Sequence, residues 1–270
     1  MIEHQHFYEK LWEYYDAHGR HDLPWRQPEH DGAFDPYKIM VSEIMLQQTQ
    51  VSRVVPKYHS FLQKFPKTTD LAAAKLGDVL RQWQGLGYNR RAKFLWQAAQ
   101  KIISEHGGNF PETVEELVKL PGIGKNTAGA IAAYAYNKPA IFIETNIRTV
   151  YIHHFFAGKK GVDDKEIISL LHKTIDTKNP RTFYWALMDY GTYLKQTQGN
   201  LSKLSNGYVK QSKFHGSNRQ IRGAVIRQLS RSSGTYDSLQ NAIQDERLDT
   251  VLAELVAEGL ITKNGRDYSL

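Results

Sequence analysis

The chain has 270 residues, 41% of them hydrophobic and 11% aromatic, with a formal charge of +7 and a pI near 9.3; it can bury a core for one large or two smaller domains, which excludes a disordered chain, and its charge favours a polyanionic partner. It contains no cysteine, which excludes disulfides, thiolate metal sites and cysteine-held iron–sulfur clusters. Its start lacks an apolar core flanked by basic residues and no run of about 18 apolar residues occurs, so a cytoplasmic protein with no membrane partner is expected.

In chain order, His4, His6, His18 and His21 are scattered among polar residues, a pattern of solvated side chains with no metal site. Asp35-Pro36 offers a helix N-cap and a first-turn proline, and Met40, Ile44, Gln47 and Val51 then fall on one stripe at helical spacing. TTDLAAAKLGDVLRQW (Thr68–Trp83) and RRAKFLWQAAQKIISEHG (Arg90–Gly107) each read as one helix, the second ended by Gly107-Gly108. PETVEELVKL (Pro111–Leu120) begins with proline and puts acids into its first turns, at the positive end of the helix dipole.

LPGIGKNTAGAI (Leu120–Ile131) follows one helix and opens the next. Pro121 cannot continue a helix, while Gly122 and Gly124 permit a backbone turn and close approach without a Cβ in the way. Amides at the start of the following helix then face outward, a geometry suited to one DNA phosphate, although an ordinary helix–turn–helix corner has the same look.

From Tyr190 to Tyr236 the chain carries eight Lys or Arg residues and no acid, and all nine prolines lie at or before Pro180. Within that segment, NLSKLSNGYVKQSKFHGSN (Asn200–Asn218) has the composition of a linker, including Lys210 and Lys213, and the domain boundary falls there. Beyond it, RQIRGAVIRQLSR, YDSLQNAIQ and RLDTVLAELVAEGL read as three short helices, and ITKNGRDYSL as a hairpin turning at Asn264-Gly265. Three helices closed by a hairpin suggest a winged helix-turn-helix.

LPWR (Leu23–Arg26), SEIMLQQTQV (Ser42–Val51), GLGYNRRA (Gly85–Ala92), LPGIG and FIETNIRTV (Phe142–Val150) together closely resemble the helix-hairpin-helix DNA glycosylases, in particular the MutY-type adenine glycosylases, over about residues 7–194. The resemblance implies an all-α, two-lobed helix-hairpin-helix glycosylase fold over residues 1–199. A basic linker, 200–218, and a small winged-helix module, 219–270, follow. It implies a monofunctional glycosylase of base excision repair, a nucleoid-associated monomer that acts on double-stranded DNA containing a damaged or mispaired base. Adenine opposite 8-oxoguanine or guanine is the first expectation. Uracil or thymine in mismatches, hypoxanthine or another modified base, and a non-catalytic damaged-DNA-binding protein are the alternatives.

By the same resemblance, Glu43 protonates the departing base, and its apolar neighbours Ile39 and Leu46 favour the neutral acid that this role needs. Glu144 falls where the family carries an Asp, with Asn146 and Arg148 supporting it or contacting the DNA backbone. Its extra methylene displaces the carboxylate by about an ångström, which leaves reach, substrate and activity open. Asn126 stands where bifunctional relatives such as endonuclease III place a Lys nucleophile, so no strand-nicking activity is expected unless the adjacent Lys125 substitutes. Gln47 and Tyr88 match residues that wedge the duplex as a base is extruded. Arg26, Arg90, Arg91 and Lys125, with Gly122 and Gly124 of the hairpin, match backbone contacts, Arg26 serving also as support for the base pocket. A monovalent cation at the hairpin backbone is a further expectation. The four cysteines that hold the family's [4Fe–4S] cluster are missing, and the basic linker is expected to replace that loop as a phosphate-binding surface. FHGSNRQIRG (Phe214–Gly223) is similar to a junction in family members that lack the hydrolase-like domain used to read 8-oxoguanine. The module after it is expected to grip DNA, touch a partner or pack on the catalytic domain.

Overall fold

The computed structural model describes residues 2–210 and 213–270, the side chains of Ile2 and Glu3 excepted. The middle of the expected linker, Gln211 and Ser212, lies outside the described residues. Helices follow in the order α1 (Ile2–His18), α2 (Pro36–Leu46), α3 (Val51–Lys64), α4 (Thr68–Ala73), α5 (Leu76–Gln82), α6 (Arg90–His106), α7 (Val114–Leu117), α8 (Lys125–Tyr136), α9 (Thr145–Phe155), α10 (Asp164–Thr174) and α11 (Pro180–Thr197). Then come α12 (Asn218–Leu229), β1 (Gly234–Thr235), α13 (Tyr236–Ile243), α14 (Leu248–Ala257), β2 (Thr262–Asn264) and β3 (Asp267–Ser269). They form two compact units, neither continuous in sequence: residues 1–43, 112–119 and 123–210, and residues 44–111, 120–122 and 211–270.

In the first unit, α11 packs along α9 and α1. Phe7 of α1 meets the rings of Tyr151, Phe155 and Phe183 at 5.3–6.4 Å between centroids, each buried aromatic contributing about 1.5–3 kcal/mol through area removed from water. A Cβ on Gly191 of α11 would lie 2.5 Å from the carbonyl oxygen of Asn146, so glycine here lets α11 approach the first turn of α9. Asp35 caps α2 as its sequence suggests, Oδ1 accepting from Tyr37 N at 2.8 Å.

In the second unit, α6 buries Leu95, Ala98, Ala99 and Ile102, and α4 and α5 lie on it. The single helix expected over 68–83 is broken. Ala74 is extended (φ −69, ψ 153), and Trp96 Nε1 of α6 donates to its carbonyl at 2.9 Å, a tertiary bond replacing an intrahelical one. The stripe expected through Gln47 and Val51 is broken too: α2 stops at Leu46, Gln48 takes φ +55, and α3 begins at Val51. Helix α7 is shorter than its acid-rich segment suggests. Thr113 caps it, accepting from Glu116 N at 3.3 Å, so Pro111 stays outside.

The tail forms three helices and a three-stranded sheet in the order β1-β3-β2, the composition expected of a winged helix. Ile221, Val225, Ile226, Leu239, Val251, Leu252 and Leu255 are its buried core. Asn264 pairs with Asp267, so the hairpin turns at Gly265-Arg266, one residue beyond the expected place, with Gly265 at φ +60.

Candidate active site

Glu144 is the N-cap of α9: its backbone is extended (φ −120, ψ 172), its carbonyl accepts from Arg148 N at 2.9 Å, and its side chain makes no capping bond. A shorter Asp, Asn or Ser at such a position ordinarily turns back onto the helix amides. The longer Glu leaves its carboxylate available for other work. The segment leading to it is anchored by Asn126, the second residue of α8, whose Oδ1 accepts from Ile143 N at 3.4 Å.

Glu43, near the end of α2, shares this site. Burial pushes its carboxyl well above the ordinary range, repulsion from Glu144 adds to that, and the charge of Arg26 opposes it. Burial also raises Glu144, against which the charge of Arg148 works. Two carboxyls in one low-dielectric place cannot both ionise readily. Of the two, Glu43 is raised the further, and the charge of Arg148 holds Glu144 back. Tyr134 of α8 joins them: it is 5% exposed, and burial followed by Glu43 and Glu144 holds its phenol protonated. Its ring stacks on Trp185 at 6.0 Å and meets Phe142 edge-on at 6.2 Å.

Arg26, expected on phosphate and as support for the base pocket, lies near enough to Glu43 for its charge to oppose the rise of that carboxyl. It is buried, with both terminal nitrogens on Asp189 at 2.7 and 2.9 Å and its guanidinium 5.3 Å from the Trp185 ring. Burial pushes Asp189 up, but the bonds and charge of Arg26, then Arg20, outweigh it and hold that carboxyl ionised. Arg148 is half-buried and bidentate to Asp164 at 2.8 and 2.6 Å. Asn146 makes one long bond to Thr192 Oγ1 at 3.5 Å. Tyr134, Trp185 and Asp189 escaped the sequence reading. Only Asp189, an acid inside the apolar run ALMDYG, carried a signal that could have found it.

The second unit holds Gln47 and Tyr88. Arg91, expected on phosphate, is instead buried between their backbones. One terminal nitrogen donates to the carbonyls of Ile44 (2.8 Å), Met45 (3.0 Å) and Gln47 (2.5 Å), the other to Thr49 Oγ1 and the carbonyls of Leu86 and Gly87 at 3.0–3.1 Å. Burial pulls its guanidinium down to about 10, still a cation at neutral pH. Tyr88 takes φ +48, between Gly87 and Asn89. Arg90 is exposed but paired with Glu258. Gly122 has φ +75, and a Cβ there would lie 2.5 Å from Phe94 Cβ.

Gly124 and Lys125 are exposed. Gly124 has ordinary dihedrals (φ −82, ψ 172) with open space where a Cβ would stand. Lys203, Lys210 and Lys213 are exposed as well. The segment after α11 does not fit a cysteine-held cluster, since the chain has no cysteine. Its first part is held instead by Val162 N to Leu204 O and Asn206 N to Val162 O, both 3.0 Å, and by Ser205 Oγ to Asp164 at 3.3 Å. Among the described residues no group of three or more His, Asp or Glu could hold a metal ion, and no helix is long and apolar enough to cross a membrane.

Residues 41–176 match the HhH-GPD superfamily base excision DNA repair protein model. The adenine DNA glycosylase of Buchnera aphidicola subsp. Baizongia pistaciae is 38% identical over 192 residues, 70% of this chain, and the chain spans about half of that relative's length, 52%. That of Mycolicibacterium smegmatis is 34% identical over 95% of this chain and 94% of its own length. Among solved structures, a thermostable thymine-DNA glycosylase superposes with a TM-score of 0.61 at 26% identity, over 70% of this chain and 86% of its own. An endonuclease III–DNA complex has a TM-score of 0.60 at 20% identity, over 74% and 91%, a likeness of fold. The chain is a member of the HhH-GPD superfamily of base excision DNA repair proteins, of the MutY type.

Proposed function

We propose that the protein is a monofunctional DNA glycosylase that removes adenine mispaired with 8-oxoguanine or guanine from double-stranded DNA, acting as a cytoplasmic, nucleoid-associated monomer. The observation that carries this reading is the carboxyl pair itself: Glu43, near the end of α2, and Glu144, the N-cap of α9 with no capping bond, share one part-buried site in which burial and Glu144 raise Glu43 the further. Glu43 delivers its proton to the departing base, making it a better leaving group. Glu144 stabilises the oxocarbenium-like sugar and orients the water that completes hydrolysis. Asn126, an amide tied to Ile143, supplies no amine, so no Schiff base forms and the strand stays intact.

DNA enters this proposal through the hairpin glycines and Lys125, through Lys210 and Lys213 of the 200–218 linker in place of a cluster loop, and through Gln47 and Tyr88 as wedges. A monovalent cation at the hairpin backbone and a winged-helix module over 219–270 belong to it as well. Gly124 supports the hairpin role: nothing inside the protein requires a glycine there, whereas a phosphate close to its amide would. The test is single-turnover incubation with a panel of duplexes, each with one mispaired or modified base, developed with and without alkali. Strand cleavage only after alkali, and fastest for adenine opposite 8-oxoguanine or guanine, is expected. Cleavage without alkali, or no cleavage of any duplex, contradicts it.

A further inference from the structure

Within the second unit, aromatic rings and guanidinium groups alternate. Arg91 lies 5.4 Å from the Trp83 ring and 5.6 Å from the Tyr88 ring, and Arg219, in the first turn of α12, lies 5.2 Å from the Tyr88 ring. A terminal nitrogen of Arg219 also donates to the Tyr88 hydroxyl, and the other reaches the carbonyl of Lys213 at 3.4 Å. The tail that carries Arg219 is fastened to the same unit elsewhere. Glu258 receives both Arg90 and Arg222, Arg222 also reaches Glu254 at 3.1 Å, Lys93 donates to the Glu258 carbonyl, and Arg81 Nε donates to Ser230 O at 3.2 Å.

Tyr88 needs such support. A bulky side chain at φ +48 is uncommon, and its flanking residues Gly85 and Gly87 also take positive φ, +93 and +73, so the loop has little conformational preference of its own. Arg91 fixes the backbone below Tyr88, and the tail fixes its ring and hydroxyl from another element. We infer that Arg219 is a positioning residue for the Tyr88 wedge, so that the C-terminal module acts in opening the duplex by holding that ring in place. This rests on the glycosylase reading above for Tyr88 as a wedge. Arg219 acts through Tyr88 and not on the bond that breaks. An arginine suits the task because its planar fork can bond the hydroxyl while lying against the ring, which an ammonium cannot do.

The full chain, Arg219→Ala and Arg219→Lys are compared on two duplexes, one with the target adenine paired opposite guanine and one with it inside an unpaired bubble. A 2-aminopurine beside the target reports base opening on binding, and single-turnover excision is read in parallel. For Arg219→Ala the inference expects 2-aminopurine fluorescence on the paired duplex to fall roughly threefold and excision to slow roughly tenfold, while the bubble duplex is processed at the parental rate. Arg219→Lys recovers part of both. Parental behaviour of Arg219→Ala on the paired duplex overturns the inference, and so does an equal loss on both duplexes, the mark of a merely structural role. If the parent releases no base from either duplex, the glycosylase reading fails. The fluorescence arm, which needs only binding, then decides the role of Arg219: a loss confined to the paired duplex supports it and an unchanged signal overturns it.

Discussion

Replacing Glu43 by glutamine separates what its position costs from what it does. Its folded carboxyl lies above its unfolded value, so the fold binds more protons than the unfolded chain in that window. The contribution to stability is fullest below the ordinary carboxylate range and is lost as pH rises through the raised folded value. Glu43→Gln is therefore expected to melt above the parent at neutral pH, by about 2–4 °C for each kcal/mol recovered, and to match it near pH 4. Thermal unfolding at the two pH values checks this; a lower melting point at neutral pH contradicts it. Glu144→Asp is expected to stabilise α9 by roughly 0.5–1 kcal/mol, because the shorter side chain can turn back onto the helix amides, and to slow excision by about tenfold as the carboxylate retreats. Asp189→Asn leaves the buried Arg26 without its counter-charge and should destabilise by roughly 3–5 kcal/mol in denaturant titration.

At the scale of elements, the two hairpin glycines are expected to respond differently to alanine. Gly122→Ala meets both a left-handed backbone, which costs about 1–2 kcal/mol, and Phe94, so it should lower stability. Gly124→Ala meets neither and should unfold as the parent does while binding DNA more weakly, which a denaturation curve and a binding isotherm read together. The helices were legible in the sequence where a local signal and the tertiary structure agree, as at the Asp35 cap and the Gly107 end of α6, where φ is +60. They were not legible where a distant side chain decides. Trp96 ends α4 and Arg91 ends α2 by taking carbonyls that a helix would otherwise use, and no periodicity within those segments records it. The same limit applies to charge. Arg26, Arg91 and Arg148 were expected at the DNA backbone or in support of the site by their motifs, and no motif records that each has acceptors drawn from elsewhere in the chain. Glu43 and Glu144, by contrast, could be found because their motifs were specific, and Tyr134 could not, since AIAAYAY reads as ordinary core.

For the whole molecule, the net charge of +7 is concentrated after Tyr190, where eight cations occur without an acid up to Tyr236. Among those cations Arg219 is engaged by Tyr88, and Arg222 by Glu254 and Glu258; Lys203, Lys210, Lys213, Arg227 and Arg231 are exposed, and the three lysines are the ones that lie in the linker proposed to face phosphate. Replacing the three by alanine should flatten the dependence of log affinity on log salt by about 0.9 for each phosphate that is no longer neutralised. An unchanged slope in binding titrations at several salt concentrations contradicts the substitution of this linker for a cluster loop. The central claim, that Glu43 gives a proton while Glu144 holds a charge, is tested most directly by the pH dependence of the single-turnover excision rate. For adenine opposite guanine, the parent should show a rate that rises as Glu144 ionises and falls as Glu43 loses its proton, with Glu43→Gln and Glu144→Gln each reduced to a flat residual rate. Excision by Glu43→Gln at the parental rate, or a parental profile with no loss of rate toward high pH, contradicts it.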